Sequence, residues 1–427
     1  MILTKEENEI LAGKRGTGRQ KAMELLLAVG ESLNADKMIP VSSSHLVIPE
    51  IQLFFKNKKA QWGMEITRSM LTDVDRFAVP TTTNALILDI EKGHRLKIPD
   101  PFLEEMKEIF TATMNYYEKR GAIPNYSCAP YFDFFYKKGE HLGGAESIQV
   151  LFNNSINGSR VNRETGPTAL ATAITGVTPN FGMHLEENRA GEILFELDSS
   201  LKPETFTDAD LNAIGYYVGR MSQEKIPVLA GFPTVMSGTQ LKYLCVPLAV
   251  SAGIPMVHIA GVTPEAPTVE HALHFKKPIK TYTIGIREIE SSYNLLNTAE
   301  SVSIDYIAVG CPHCSLNELR MIRDLLINRK VNGNVIFFIA VSAIKYELAE
   351  KMGIIDEIES SGAVVVKSMC PGASIFGRYG NELGVKAVAT NSAKNAHYIG
   401  AHSGGNVKTH FGSIYQCVDA ACSGRWR

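Results

Sequence analysis

The sequence predicts an α/β protein of more than one domain, built mostly from parallel sheets. Three observations carry that reading. Short apolar, β-branched runs alternate with helical patterns through the second half of the chain. Several of these runs end in glycine- or serine-containing turns that open directly into capped helices, as right-handed βα units do. The chain, at 427 residues, is also longer than one ordinary core supports.

The elements follow in order. Thr4-x-x-Glu7 is a capping box and opens a short helix; Arg19 to Val29 reads as a second helix, ended by Gly30. Gly16-x-Gly18 is not a dinucleotide fingerprint, because no strand precedes it and the third glycine is missing. Met38 to Val41 reads as a strand running into Ser42-Ser43-Ser44-His45, and Thr81-Thr82-Thr83-Asn84 as a polar turn after Phe77-Ala78-Val79. Pro124 to Arg189 lacks sustained periodicity and reads as loops and short elements lining a cleft. Beyond it, Thr207-x-x-Asp210 caps a helix with Leu211, Ile214, Tyr217 and Val218 on one face. Strands are expected at 228–230, 256–262, 282–286, 306–309, 335–341, 363–366 and 386–389. The uncharged run between Lys242 and Glu265 is interrupted by Pro247, Gly253, Pro255 and Gly261, so it reads as a buried helix and a strand rather than a membrane span. Lys202-Pro203-Glu204 is the best boundary candidate, and with a second division before the strand 306–309 the expected regions are 1–202, 203–300 and 301–427.

Composition narrows the function. Net charge is −2, from 43 basic and 45 acidic residues, which gives no electrostatic case for nucleic acid or an anionic membrane as partner. The polar, acidic opening and an odd count of seven cysteines fit reduced thiols in the cytoplasm.

The chemistry gathers at turns. Gly310-Cys311-Pro312-His313-Cys314-Ser315 lies between the strand 306–309 and a helix whose start is signalled by Ser315-x-x-Glu318. Ser368-Met369-Cys370-Pro371-Gly372 follows the strand 363–366 in the same way. These turns, with Cys128 in Tyr126-Ser127-Cys128-Ala129-Pro130-Tyr131, are read as holding an iron–sulfur cluster or iron centre. Cys311-x-x-Cys314 alone also suits zinc or a redox dithiol, and a non-catalytic metal-binding or thiol redox-sensing protein using Cys311 and Cys314 is the competing reading; a zinc-structural α/β enzyme is a third. Three thiolates leave one iron of a cubane free to act as a Lewis acid on a hydroxy acid. Dehydration further needs a base, an acid and cations for the carboxylate. Arg160 and Arg163, flanking Asn162, suit a carboxylate clamp; His45, His141, His184 and His313 are candidate acids, with Glu146 and Glu187 to orient them, and Lys394 is a candidate anion ligand.

At these residues the sequence resembles the large, catalytic subunit of aconitase X, a branch of the aconitase superfamily. The resemblance runs through nearly the whole chain. It includes Leu11-Ala12-Gly13, Ser43-Ser44-His45, Gly139-Glu140-His141, Ala145-Glu146-Ser147, Asn154-Ser155, Arg160-x-Asn162-Arg163-Glu164 and His184-Leu185-x-Glu187-Asn188-Arg189. Further on come Leu241-Lys242, Gly261-Val262-Thr263-Pro264-Glu265-Ala266, Gly310-Cys311-Pro312-His313, Cys370-Pro371, Ser392-Ala393-Lys394 and Gly424-Arg425-Trp426. The resemblance implies α/β domains arranged as in aconitase around a cleft. It implies Cys128, Cys311 and Cys370 as ligands of a 4Fe–4S cluster, with 2Fe–2S or mononuclear iron as alternatives. A histidine, His45 or His141, would assist the leaving oxygen beside Glu146. Ser44, Asn84, Asn154, Ser155, Arg160, Asn162, Arg163, His184, Lys242, Ser392 and Lys394 would bind substrate. A separate small swivelling subunit would supply a catalytic serine. The family's activities are dehydration of cis-3-hydroxy-L-proline and of mevalonate 5-phosphate; for a phosphate, Lys242, Lys394 or Lys408 would supply the cationic pocket. Cys314 departs from the ligand pattern, and Pro80-Thr81-Thr82-Thr83-Asn84 and Cys370-Pro371-Gly372-Ala373 depart from the family's usual wording.

Overall fold

The computed structural model describes residues 1–47, 60–372, 376, 380 and 383–427, so Ala373 of the second cysteine turn lies outside the described residues. Among the described residues the chain forms three parallel sheets in chain order, plus one antiparallel pair.

The first region holds β1 (Met38–Pro40), β2 (Ser44–Leu46), β3 (Thr81–Thr83), β4 (Ala122–Ile123), β5 (Gly143–Gly144) and β6 (Val177–Pro179). Its parallel sheet runs β4-β3-β2-β5, while β1 pairs antiparallel with β6. The strands are very short, and their side chains are polar yet buried: Ser44, His45, Thr81, Thr82 and Thr83. Thr81–Thr83, expected as a turn, is therefore a strand. Two of its three hydroxyls are paired, Thr82 Oγ1 with His45 Nδ1 at 2.8 Å and Thr81 with the Val79 carbonyl at 2.8 Å, while Thr83 Oγ1 is buried without a partner. The opening capping box forms as expected. The second helix spans Thr17–Ser32, so Gly30 lies within it, tight against Met1 and Pro179, rather than ending it. Helix Gly166–Thr175 occupies a stretch whose pattern suggested short elements only, and packs beneath β2 and β5.

The second sheet has β7 (Ile193–Leu197), β8 (Pro227–Ala230), β9 (His258–Ile259) and β10 (Lys280–Ile284) in the order β10-β7-β8-β9. Helices Asp208–Ser222 and Gly238–Ser251 pack along each other; the uncharged run is the buried second helix, as its breakers implied. The expected strand 256–262 shrinks to two residues, because the chain turns at Gly261 with φ +80°.

The third sheet is the largest: β11 (Tyr306–Val309), β12 (Ile336–Val341), β13 (Val364–Lys367), β14 (Ala387–Thr390) and β15 (Lys408–Phe411), in the order β13-β12-β11-β14-β15. Both faces are covered, as a parallel sheet requires. Ile307, Val309, Phe337, Ile339 and Val341 cluster with Leu244 and Leu248 of the second region and with Leu319 and Ile322. The alternate residues Tyr306, Ala308, Phe338, Val364 and Val366 pack instead on Phe102, Leu103, Met106 and Phe110. Those four lie on helix Asp100–Glu118, an element the sequence reading does not anticipate, and they lock the first region onto the third.

Candidate metal centre and active site

Cys311 stands where β11 ends. Gly310 has φ +98°, and a Cβ there would lie 2.3 Å from the Ala340 carbonyl oxygen of β12, so glycine alone lets the chain turn this close to its neighbour. Ser315 and Glu318 then form the anticipated capping box of helix Leu316–Leu326. The second turn follows β13: the Cys370 amide donates to the Leu86 carbonyl at 2.7 Å, which ties it to the first region. Cys128 is carried by the loop after β4, where the Ser127 amide donates to Thr83 of β3 at 3.0 Å. Two parallel sheets thus deliver cysteines from their carboxyl ends into one crevice.

The contacts between the turns are direct. The His313 amide lies 3.5 Å from Cys128 Sγ, and a Cβ on Gly372 would sit 3.7 Å from Cys311 Sγ. Burial pushes the Cys128 thiol well up; Lys394 opposes that, while Glu146, Cys311 and Cys370 add to it. Cys311 is pushed up to about 12, again by burial first, with Lys394 opposing and Cys370 adding, and Ser392 hydrogen-bonds its sulfur. Burial works against the Lys394 ammonium, but Glu146 and the thiolates of Cys311 and Cys128 outweigh it and hold its pKa well above the ordinary lysine value. Lys394 Nζ is 2.6 Å from Glu146 Oε1, and the other Glu146 oxygen caps helix Ser147–Phe152 by accepting from the Ile148 and Gln149 amides at 2.7 and 2.9 Å. Burial lowers the His45 pKa to about 4 against the opposing pull of the Glu146 charge, and its Nε2 has no partner.

The remaining sequence-nominated residues fall into other groups. His141 and His184 meet through their Nδ1 atoms at 3.0 Å, beside Arg160, which donates to the His184 carbonyl at 2.9 Å and pairs with Glu186. Asn162 braces the same loop, donating to Phe181 and accepting from the Met183 amide. Asn154 and Ser155 are engaged with backbone: Asn154 with Val161 and Pro255, Ser155 with the Val257 amide. Ser44 donates to the Ala169 carbonyl, and Asn84 accepts from the amide that follows it. Arg163 lies against Gly253. Lys242 is buried behind the Cys311 turn, its Nζ 2.6 Å from Glu318 and 3.5 Å from the His313 carbonyl. Cys314 sits in the apolar core near Glu318 and Lys242. Two residues were given no role by the sequence reading. Arg189, fully buried, pairs with Glu265 and gathers the carbonyls of Asn154, Ser159 and Met183. Asn395, one residue past Lys394, leaves its Oδ1 unpartnered 2.9 Å from where a Gly372 side chain would begin.

Cys128, Cys311 and Cys370 act on one another electrostatically, a thiol donor set of the kind that holds an iron–sulfur cluster, and the unpartnered His45 Nε2 and Asn395 Oδ1 leave polar capacity in the same region. Among the described residues no helix is long and apolar enough to cross a membrane.

Comparison with known proteins agrees with this arrangement. The aconitase X first, second and third domains match residues 1–187, 191–294 and 304–423. The chain is 35% identical over 402 residues to the phosphomevalonate dehydratase large subunit of Methanocaldococcus jannaschii, covering 93% of this chain and 95% of that one. It is 30% identical to the cis-3-hydroxy-L-proline dehydratase of Hypocrea jecorina, covering 99% of this chain and 69% of that protein. The crystal structure of Thermococcus kodakaraensis aconitase X in its holo-form superposes with a TM-score of 0.83 at 30% identity, over 99% of this chain and all of that one. The chain belongs to the aconitase X family and is an enzyme of the dehydratase, or hydro-lyase, type.

Proposed function

We propose that this chain is the large subunit of a two-subunit, iron–sulfur-dependent dehydratase acting on a small hydroxy acid. The observation that carries the reading is the meeting of three cysteine turns around the Lys394–Glu146 pair. Cys128, Cys311 and Cys370 would hold the cluster, and bound there it supplies a Lewis acid for the substrate's hydroxyl and carboxylate. Lys394 offsets the charge of the Cys311 and Cys128 thiolates. Glu146, fixed by a helix N-terminus and by Lys394, holds its charge near enough to act on both Cys128 and His45. His45 is held neutral with its Nε2 free, which suits accepting or relaying a proton at that nitrogen. His141, His184 and Arg160 form a second polar group, suited to orienting the far end of the substrate. Relatives named as large subunits support a small-subunit partner, and a serine from that partner would complete the site. The relatives' names leave two substrates in play, mevalonate 5-phosphate and cis-3-hydroxy-L-proline.

The test is anaerobic reconstitution with iron and sulfide, followed by a dehydration assay with the small subunit present and both compounds offered. Retained iron and sulfide with turnover of one compound is the expected result. Failure to retain iron, or turnover of neither compound by the loaded two-subunit enzyme, would sink the reading.

A further inference from the structure

His313 touches all three cysteine turns. It follows Cys311 by two residues, its backbone amide donates toward Cys128 Sγ at 3.5 Å, and its ring Nε2 lies 2.9 Å from the carbonyl oxygen of Met369, the neighbour of Cys370. A carbonyl can only accept, so Nε2 carries the proton and Nδ1 is bare. The ring is buried, and that Nδ1 has no partner. From behind, Lys242 reaches the His313 carbonyl at 3.5 Å while held by Glu318, whose carboxylate also caps helix Leu316–Leu326. The residue is thereby fixed from the helix side and spends its ring proton on the third turn. With that proton committed, the geometry does not present it to a substrate.

We propose that His313 is a positioning residue that brackets the three cysteine turns at a fixed separation and keeps a backbone N–H directed at the Cys128 sulfur. The proposal rests on the functional reading above for what the sulfurs hold, but the bracket itself is a property of the metal-free chain. Two consequences follow. Loss of the Nε2–H bond frees the Cys370 turn from the Cys311 turn and leaves the buried Met369 carbonyl unpaired. Loss of the amide's direction removes a hydrogen bond from a cluster sulfur, which is one of the determinants of an iron–sulfur potential.

The experiment compares the wild-type chain with H313Q and H313L. Glutamine carries an amide nitrogen to nearly the place of Nε2; leucine fills space without a donor. The metal-free full-length chains are pulsed anaerobically with iodoacetamide and the labelled cysteines mapped by mass spectrometry. In H313L, Cys128 and Cys370 are expected to label about tenfold faster, the response to losing one buried hydrogen-bond partner, with Cys245 and Cys417 unchanged and H313Q close to wild type. After reconstitution, H313L is expected to lose its visible absorbance to a chelator faster and to show a displaced midpoint potential, both restored in H313Q. Wild-type labelling in H313L, or equal behaviour of the glutamine and leucine variants, overturns the proposal. If the wild type takes up neither iron nor sulfide while labelling differs as expected, the assignment of the thiols fails and the bracket stands. Should H313L not fold, H313N, whose amide falls short of Met369, takes its place.

Discussion

Buried side chains that cannot charge freely set the behaviour of this protein at the finest scale. Burial lowers the pKa of His45 to about 4 and that of His184 to about 3, from an ordinary 6.5. An unfolded histidine takes up its proton near 6.5, whereas these two stay neutral in the fold until far more acid conditions. Stability is therefore full above about 6.5 and falls as the pH drops toward the folded values, by about 2 kcal/mol per histidine on reaching about pH 5. Denaturant midpoints at about pH 7.5 and pH 5 check this, and His45→Asn, which keeps a partner for Thr82, should flatten the slope. The Lys394–Glu146 pair behaves differently, because removing one partner strands the other. Glu146→Ala is expected to cost roughly 3–5 kcal/mol, the range for an uncompensated buried charge, read from the same denaturation curves. Among the cysteines, Cys128→Ser, Cys311→Ser and Cys370→Ser should each lose most bound iron and reduce turnover by more than the roughly 10–100-fold that losing a ligand's outer-shell partner costs; Cys417→Ser should lose neither. Iron analysis beside a rate measurement separates the two groups.

At the scale of elements, the best-read parts of the sequence are the βα units of the third sheet. β11 has the bounds its apolar run implies, and the Ser315–Glu318 capping box forms. Those signals are local: a run of β-branched residues, a glycine, a cap. The Thr81–Thr83 strand was illegible for the opposite reason. Thr82 is buried against His45, which comes from the neighbouring strand β2, and periodicity carries no trace of that long-range pairing. The site divides the same way. Cysteines at strand ends were visible, whereas Arg189 and Asn395 gain their meaning only from what surrounds them. Gly310 is the element-level weak point: Gly310→Ala meets both a positive φ and a backbone oxygen at 2.3 Å. It is expected to destabilise by roughly 2–4 kcal/mol, overpacking and backbone strain together, and to lower iron content, as thermal unfolding and metal analysis would show.

Across the whole molecule, the three sheets do not stand as independent bodies. Helix Asp100–Glu118 belongs to the first region by sequence, yet its Phe102, Leu103, Met106 and Phe110 cover one face of the third sheet. Phe110→Ala should therefore cost roughly 3–5 kcal/mol, as for any large core truncation, and calorimetry should show the first and third regions losing structure together. A fragment of residues 304–427 would leave Tyr306, Phe338, Val364 and Val366 bare, and size-exclusion chromatography is expected to find it self-associated rather than monomeric. That interlocking has a temporal side. Cys128 precedes the entire middle unit and Cys370 follows it, so the two sulfurs cannot meet until the first two regions and much of the third have been synthesised. A metal group held jointly by the two would therefore be completed only late, in a chain whose third sheet packs against helix Asp100–Glu118 of the first region.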